Sequence, residues 1–267
     1  MSRQRTVLLI GAGGGMGRAA AKLLNQNGFC VIGMDREPVD SSDLIPMLVC
    51  DVTDPDAVVR AQREVSEVRL DAIVYMAGIY DMDSLIEIDE QRMHRIFAVN
   101  VFGAYRAIKA FVPNLQPNAR VALITSELAP LDPLLFTGLY GITKGTLEDY
   151  AFSLAMELQL LGVAVSVIRP GAVDTPLLNR SVERIETFAA RTTHYPNQAE
   201  RFLSVTRRVE SKSIPPEAIA KKLLKILTAK HPRFLYTLNS NPLLKLYGVL
   251  PKQWKLWAIK TYLKPKQ

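Results

Sequence analysis

The chain has 267 residues, of which 48% are hydrophobic and 22% are charged, and its formal net charge is +7. These values fit one α/β domain with a large core, and no uncharged stretch is long enough to cross a bilayer. We expect no signal peptide, because the first apolar run stops at Ile10. The two cysteines, Cys30 and Cys50, lie in apolar runs without metal-ligand spacing. We therefore expect a cytoplasmic protein with reduced thiols and no metal site.

The charge is unevenly distributed along the chain. Residues 212–267 carry a net charge of +11, whereas residues 1–211 carry −4. A basic end on a neutral-to-acidic body predicts contact with an anionic surface. Because the basic end is also rich in large apolar residues, nucleic acid is disfavoured as the partner.

Short apolar runs alternate with helical patterns along the first 240 residues. The runs predict strands over residues 5–10, 29–34, 47–50, 71–76, 120–125, 163–168 and 233–238. A helix is predicted from the glycines after residue 10 to about residue 27, and further helices over 55–68, 89–112, 138–161 and 215–228. Residues 175–214 are predicted to be irregular or weakly helical. The alternation indicates a parallel sheet with helices on both faces, formed by residues 1–240, and a tail of residues 241–267.

Glycines follow the first predicted strand directly and open the first predicted helix. The motif consists of Gly11, Gly15 and Gly17, with Gly13, Gly14 and Met16 between them. Glycines in this position let the backbone approach a pyrophosphate, which then lies at the helix N-terminus. The sequence therefore predicts a dinucleotide site here.

Asp35 ends the second predicted strand, 18 residues after Gly17. A carboxylate there accepts hydrogen bonds from the adenosine ribose and repels a 2′-phosphate, which favours NAD over NADP. Arg36 is the competing signal, because a guanidinium beside the ribose could receive that phosphate; the alternative for Arg36 is a solvated surface residue. Asp51, after the third strand, is predicted either to meet the adenine edge or to cap a helix N-terminus.

Residues 140–144 read Tyr-Gly-Ile-Thr-Lys within a predicted helix. Residues four apart share one face of a helix, so Tyr140 and Lys144 should present a phenol and an ammonium to the same cavity. An ammonium beside a phenol lowers the pKa of the phenol, which suits proton transfer near neutral pH. The alternative is a half-buried tyrosine and a solvated lysine that lie one turn apart by chance.

These motifs together resemble the short-chain dehydrogenase/reductase family, strongly over about residues 5–178. Beyond the glycine motif and the Tyr140–Lys144 pair, the matching positions are Asp51, Val52, Ala77, Gly78, Asn100, Pro170, Gly171 and Thr175. The resemblance implies a single Rossmann-type doubly wound parallel sheet of about seven strands. It also implies that all these positions, together with Val173, contribute to the active site or to cofactor binding.

The resemblance assigns four catalytic residues: Asn100, Ser126, Tyr140 and Lys144. Tyr140 exchanges a proton with the substrate oxygen as hydride moves to or from the nicotinamide, and Ser126 donates a hydrogen bond to that oxygen. Lys144 binds the nicotinamide ribose, and Asn100 holds a water in a proton relay from Lys144. For Asn100, the alternative is a hydrogen bond to its own helix backbone.

The chain departs from the family pattern at three places. Ile10 and Met76 replace a Thr and an Asn that commonly bond to each other, and we expect them to pack as an apolar pair. The family's Ser commonly precedes the Tyr by thirteen residues, a position that Glu127 occupies here. We assign the role to Ser126 instead, with Glu127 as a flanking residue, because the intervening loop can absorb one extra residue.

Apolar residues dominate the predicted loops around the site and favour a lipophilic substrate. The alternative is that they only pack the loops against the body. Arginines of segment 175–214, such as Arg184 and Arg191, are expected to be solvated. The tail interleaves Trp254 and Trp257 with lysines, a pattern that fits peripheral contact with a membrane surface. A subunit contact or a lid over the active site are the alternatives. The tail also resembles the C-terminal extension of steroid- and retinol-type members of the family.

The sequence therefore predicts an NAD-dependent oxidoreductase that acts on a lipophilic secondary alcohol or ketone, steroid-like or retinoid-like. We also expect a homo-oligomer, either a dimer or a tetramer. The alternative from another class is a nucleotide-binding scaffold or regulator that keeps the fold without turnover.

Overall fold

A computed structural model describes residues 4–39, 47–209 and 212–263. Within these ranges the predicted parallel sheet is confirmed. Its seven strands are β1 (Thr6–Ile10), β2 (Cys30–Asp35), β3 (Met47–Val49), β4 (Leu70–Tyr75), β5 (Leu115–Ile124), β6 (Ala164–Pro170) and β7 (Leu235–Leu238). Their spatial order is β3-β2-β1-β4-β5-β6-β7, and every neighbouring pair is parallel.

The order reverses between β1 and β4, where the chain crosses from one half of the sheet to the other. Ligands of such sheets bind at this crossover, beyond the carboxyl ends of the strands. The predicted site residues Gly11, Gly78, Ser126 and Gly171 follow strand ends at this edge, and Asp35 is the last residue of β2. The topology therefore brings residues that are far apart in sequence to one rim.

Ten helices surround the sheet within the described residues. They are α1 (Gly15–Gln26), α2 (Pro55–Glu64), α3 (Glu90–Phe97), α4 (Gly103–Phe111), α5 (Gly138–Leu158), α6 (Pro176–Arg191), α7 (Pro196–Val209), α8 (Pro216–Thr228), α9 (Pro242–Val249) and α10 (Lys252–Leu263). Helices α1 and α8 pack on one face, in a core that includes Ala20 and Leu223. Helices α2, α4 and α5 pack on the other, in a core that includes Val58, Phe111 and Leu147.

Residues 175–214 contain more helix than predicted, because two regular helices, α6 and α7, occupy most of this stretch. Each begins with a proline, Pro176 or Pro196, which suits the first helical position because its missing N–H has no partner there. Their apolar residues Phe188 and Phe202 contact Phe136 from the loop before α5. That packing stabilises helices whose exposed faces are strongly polar.

A continuous helical stretch, Glu90–Asn114, is long and apolar enough by composition to span a membrane. It contains α3 and α4, and its residues Ile96, Ala104, Ile108 and Phe111 are fully buried within the domain. Ala104, Ile108 and Phe111 belong to the core beneath the sheet, and Ile96 packs with Leu139 and Tyr140, so one side of the stretch is part of the α/β domain core.

The expected apolar pair of Ile10 and Met76 does not form. The backbones are adjacent, since the Met76 N–H donates to the Ile10 carbonyl at 2.8 Å. Ile10, however, is in register with Tyr75, and successive strand residues point to opposite faces. The Ile10 side chain therefore lies in the core beneath α2, α4 and α5, whereas Met76 lies in the core beneath α1 and α8.

Candidate active site

Ser126, Tyr140 and Lys144 line one cavity of about 390 Å³ at the carboxyl edge of the sheet. Ser126 follows β5 by two residues, and Tyr140 and Lys144 lie in the first two turns of α5. All three side chains are buried. The loop between Ser126 and Tyr140 takes a left-handed turn at Phe136, where φ is +58°. Ser126 and Tyr140 thus line the same cavity although 14 positions separate them along the chain.

The electrostatics of Tyr140 differ from the expectation of a lowered pKa. Burial raises the pKa of Tyr140 to about 12, and the neighbouring Ser126 hydroxyl acts in the opposite direction. Burial also lowers the pKa of Lys144 to about 8. The Lys144 Nζ lies 5.8 Å from the centre of the Tyr140 ring and donates to the Ile124 carbonyl at 3.1 Å. Desolvation thus outweighs the attraction expected between ammonium and phenolate.

Lys144 makes a testable contribution to stability. Its pKa of about 8 in the folded protein lies below the ordinary value of 10.5, so the unfolded chain binds more protons between these pH values, and stability rises with pH across this window. The shift corresponds to about 3 kcal/mol. We expect Lys144→Met to unfold at a higher denaturant concentration than the wild type near neutral pH, despite losing the Ile124 bond.

The stability advantage of Lys144→Met over the wild type should shrink as the pH rises through the same window, because the wild-type lysine then becomes neutral in both the folded and the unfolded protein. Denaturant unfolding of both proteins at about pH 7 and about pH 10 measures this change. Lys221→Met, on an exposed position of α8, is the matched control. Its free energy of unfolding should differ from that of the wild type by the same amount at both pH values. If the free energies of unfolding of Lys144→Met and the wild type also differ by the same amount at both pH values, the account is contradicted.

Asn100 is fully buried in a π-helical turn, Ala98–Phe102, that joins α3 to α4. Its Oδ1 accepts from the Ile79 N–H at 2.8 Å, and its Nδ2 donates to the Ile79 carbonyl at 2.9 Å and to Thr143 Oγ1 at 3.0 Å. These partners lie outside its own helix, so the alternative of a bond to its own backbone does not hold. Single π turns of this kind are frequent at functional sites.

The glycine turn after β1 has the geometry of a cofactor cradle. Gly11 has φ of +87°, and a Cβ there would lie 2.5 Å from the Ala77 backbone nitrogen. A Cβ on Gly17 would lie 2.2 Å from the Gly11 carbonyl oxygen. Helix α1 has no side-chain cap and no acidic residue in its first turn, so its N-terminus can receive a phosphate. These residues fit a nicotinamide dinucleotide.

The carboxyl end of β2 supplies the second part of the cradle. Asp35 Oδ2 accepts from the Gly13 N–H at 2.8 Å, and its Oδ1 accepts from the Arg36 N–H at 2.7 Å. The Arg36 guanidinium pairs with Glu37 at 2.7 Å. Asp51 accepts from the N–H and hydroxyl of Thr53, whereas Asp54 caps α2. Asp51 is therefore not the helix cap, and its neighbour Val52 packs beneath Gly103.

The segments after β4 and β6 close the site. A Cβ on Gly78 would lie 3.2 Å from Lys144 Nζ and 3.4 Å from Asn100 Oδ1. After β6, a Cβ on Gly171 would lie 1.9 Å from the Asn239 carbonyl oxygen. The buried side chain of Thr175 would lie 3.0 Å from a Cβ on Gly15, so it reaches the glycine turn. Met16, Pro170, Val173 and Thr175 line the cavity together with Ser126, Tyr140 and Lys144.

The rest of the cavity wall is mainly apolar and comes from five separate segments. It includes Met82, Leu128, Leu134, Leu177, Leu178, Ile185, Phe202 and Leu244. The Thr137 hydroxyl, also in the wall, is buried and has no hydrogen-bond partner among the described residues. Sequence reasoning missed Tyr80, whose ring centre lies 4.8 Å from that of Tyr140. It offered a lid over the active site as an alternative for the tail but did not single out Asn241 and Leu244, which line the cavity.

Two arginines of α6 are held by an ionic cluster beside this wall and are not free surface charges. Asp81 and Asp83, in the segment after β4, are buried. Asp81 Oδ1 accepts from Arg184 at 2.7 Å, and Asp83 pairs with Arg191. Arg92 of α3 bridges the two carboxylates, at 2.5 Å and 2.6 Å. The cluster ties α6 to the sheet edge and so positions the cavity wall.

Comparison with known proteins agrees with this geometry. A family model described as short chain dehydrogenase matches residues 5–186. The 3-ketodihydrosphingosine reductase of Bacteroides thetaiotaomicron is 25% identical over 252 residues, which are 93% of this chain and 92% of that protein. The 17-beta-hydroxysteroid dehydrogenase type 1 of Homo sapiens is 31% identical over 205 residues, which are 74% of this chain and 62% of that protein.

Among solved structures, a short chain dehydrogenase family protein from Francisella tularensis superposes with a TM-score of 0.76 at 21% identity, covering 89% of this chain and 98% of its own. The class that the fold and site define is thus a dinucleotide-dependent oxidoreductase. The chain belongs to the short-chain dehydrogenase family, and it is an NAD(P)-dependent enzyme.

Proposed function

We propose that the protein transfers hydride between NAD and a lipophilic secondary alcohol or ketone. The observation that carries this proposal is the position of Ser126, Tyr140 and Lys144 on a cavity whose remaining wall is mainly apolar. Apolar walls with few convergent polar groups suit a lipophilic ligand that is oriented by its reacting oxygen. The relatives named as acting on steroids or ketodihydrosphingosine support the same class.

Each residue of the site has one task in this reaction. The cofactor, when bound, supplies or accepts the hydride at its nicotinamide ring. Tyr140 gives a proton to the ketone oxygen, or takes one from the alcohol, and Ser126 donates a hydrogen bond where negative charge develops. Lys144 stabilises the tyrosinate through its charge, and Asn100 holds the backbone of Ile79 beside it. Gly11, Gly15, Gly17 and Thr175 would hold the cofactor.

The carboxylates of Asp35 and Glu37 and the pairing of Arg36 support NAD as the cofactor. Asp35 lies at the glycine turn, where a 2′-phosphate would be repelled. Arg36 is engaged by Glu37, so a 2′-phosphate would compete with an existing ion pair. Initial rates with a panel of steroids, retinoids and simple secondary alcohols, each measured with NAD and with NADP, test the cofactor and the substrate class together. A higher kcat/KM with NADP would overturn the cofactor assignment.

We further propose that helices α9 and α10 contact an anionic membrane surface. Helix α9 contributes Leu244 to the cavity wall, while its neighbours Leu243 and Leu246 are exposed on the outside. On α10, Trp254 and Trp257 are 65% and 68% exposed. Aromatic rings at the headgroup level and lysines near anionic lipids both favour binding. A lipophilic substrate could then enter the cavity from the lipid side.

The body of the protein holds these helices in place. The buried ammonium of Lys255 donates to Asp132 at 2.8 Å and to the Gly248 carbonyl at 3.2 Å. The tail is thus attached to the loop between Ser126 and Tyr140. Substitutions on its exposed side should therefore leave the cavity intact.

Replacing both exposed tryptophans should weaken membrane binding. We expect Trp254→Gln with Trp257→Gln to reduce sedimentation with phosphatidylserine-containing vesicles by about tenfold, because two interfacial anchors are lost. The matched control is Leu160→Gln with Leu161→Gln, two exposed apolar residues far from the tail in sequence. Equal sedimentation of the tryptophan variant and the wild type would refute the membrane proposal.

We also propose that the chain forms a homo-oligomer. Phe102, Tyr105, Phe152 and Met156, on or next to α4 and α5, are exposed. The same apolar surface on two copies of the chain can pack together about a two-fold axis. Light scattering of the purified protein reads the oligomeric state directly, and a monomeric mass at micromolar concentration would contradict it.

A further inference from the structure

Glu127 is a partly buried carboxylate in the cavity wall, directly after Ser126. Its Oε2 accepts from the Asn241 N–H at 2.7 Å. It makes no ion pair of 4 Å or less with any residue in the described ranges, and Lys245 acts on it only through its charge. Burial raises the pKa of this carboxyl. Carboxylates partly withdrawn from water are commonly paired with a cation, and Lys245 does not approach Glu127 closely enough to form such a pair.

The protein wall of the cavity offers no such cation. Among the described residues that line it, Glu127 is the one acidic side chain and Lys144 the one basic side chain. Lys144 already donates to the Ile124 carbonyl and lies beside Tyr140. A ligand in the cavity is therefore the natural source of a positive charge for Glu127.

The position of Glu127 also indicates where on the ligand that charge would lie. Adjacent residues have Cα atoms about 3.8 Å apart, and both Ser126 and Glu127 line the cavity. A Cβ on Gly171 would lie 3.1 Å from Glu127 Oε1, so this oxygen is also next to the segment that follows β6. A group bound by Glu127 would thus lie in the same cavity as the carbon whose oxygen meets Ser126 and Tyr140.

We propose that Glu127 is a specificity-determining residue that binds an ammonium group carried by the substrate close to its reacting carbon. This inference rests on the proposed function and narrows the substrate class to lipophilic amino alcohols and amino ketones. An ammonium has three donors, so it can bond to Oε1 while Oε2 keeps the Asn241 N–H. A hydroxyl in the same place makes a weaker bond, because only one partner is charged.

Binding of octylamine and octanol to the full-length enzyme with NADH, which cannot accept hydride from either ligand, is measured by calorimetry and tests this assignment. The wild type should bind octylamine at least about tenfold more tightly than octanol, a difference of about 1.4 kcal/mol. Glu127→Gln keeps an acceptor for the Asn241 N–H but loses the charge, so it should bind the two ligands equally. Asp132 belongs to the same loop but does not line the cavity, so Asp132→Asn removes a carboxylate without removing one from the cavity wall, and it should keep the preference for the amine.

Two outcomes would overturn the assignment: equal binding of the two ligands by the wild type, or an undiminished amine preference in Glu127→Gln. Loss of the preference in Asp132→Asn as well would assign the effect to the position of the tail and would also overturn it. Turnover of a simple lipophilic secondary alcohol by the wild type reports on the proposed function separately. If that alcohol is oxidised but no amine preference exists, only the role of Glu127 fails.

Discussion

Tyr140→Phe should lower kcat by about 10³-fold, the usual contribution of a positioned general acid or base. The phenol is buried beside Ser126 in the cavity, so no solvent group can replace its proton. Phenylalanine keeps the ring that packs on Tyr80, and the fold should therefore be retained. Cofactor affinity, measured by fluorescence titration of the reduced nicotinamide, should remain within about threefold of the wild type because the glycine turn is untouched.

Tyr150→Phe is the matched control for this substitution. Tyr150 lies ten residues further along α5, is partly buried against the core beneath α2, α4 and α5, and does not line the cavity. Its hydroxyl should be dispensable for turnover. Comparable rates for Tyr140→Phe and Tyr150→Phe would remove Tyr140 from the reaction.

Gly17→Ala should damage both stability and cofactor binding. The new Cβ would lie 2.2 Å from the Gly11 carbonyl oxygen and 2.8 Å from Ala12 Cα, so the backbone of the turn must shift. Overpacking of this kind costs about 2–3 kcal/mol, which corresponds to a fall in Tm of about 5–10 °C for a domain of this size. A displaced turn no longer presents its N–H groups to the pyrophosphate, and NAD affinity should fall at least about tenfold.

Gly14→Ala is the matched control, because it also replaces a glycine of the turn with alanine but creates no steric clash. A Cβ on Gly14 would lie 3.5 Å from the nearest atom, an ordinary contact, and its φ of −71° suits any residue. Its Tm should fall by no more than about 2 °C. Melting curves with and without NAD compare the two variants, and equal damage from both would contradict the steric account.

Seven strands were predictable from the sequence because strands covered on both faces form continuous apolar runs. Their ends shifted by a few residues, as for β5, which begins at Leu115 and not near residue 120. Helix α2 ends at Glu64, four residues before its predicted end. Helices α6 and α7 were underestimated because their apolar residues are few among charged ones and depend on Phe136 for burial. Pro176 and Pro196 were the available local signals.

The site was predictable in composition but not in its electrostatics. Spacing alone placed Tyr140 and Lys144 on one helical face, and the structure brings Ser126 to the same cavity. The raised pKa of Tyr140 depends on burial by distant segments, which no local pattern encodes. The same applies to Glu127, whose partner Asn241 lies 114 residues away. Ile10 and Met76 failed as a pair because strand register sets the face of each side chain.

The central claim is hydride transfer from a lipophilic secondary alcohol to NAD at this cavity. Oxidation of a homologous series of secondary alcohols, each with and without deuterium on the carbinol carbon, tests it most directly. We predict that kcat/KM with NAD rises with chain length, because the cavity wall is apolar, and that deuterium is recovered in the reduced nicotinamide. Failure to transfer deuterium from any alcohol, or a kcat/KM that does not depend on chain length, would contradict the account.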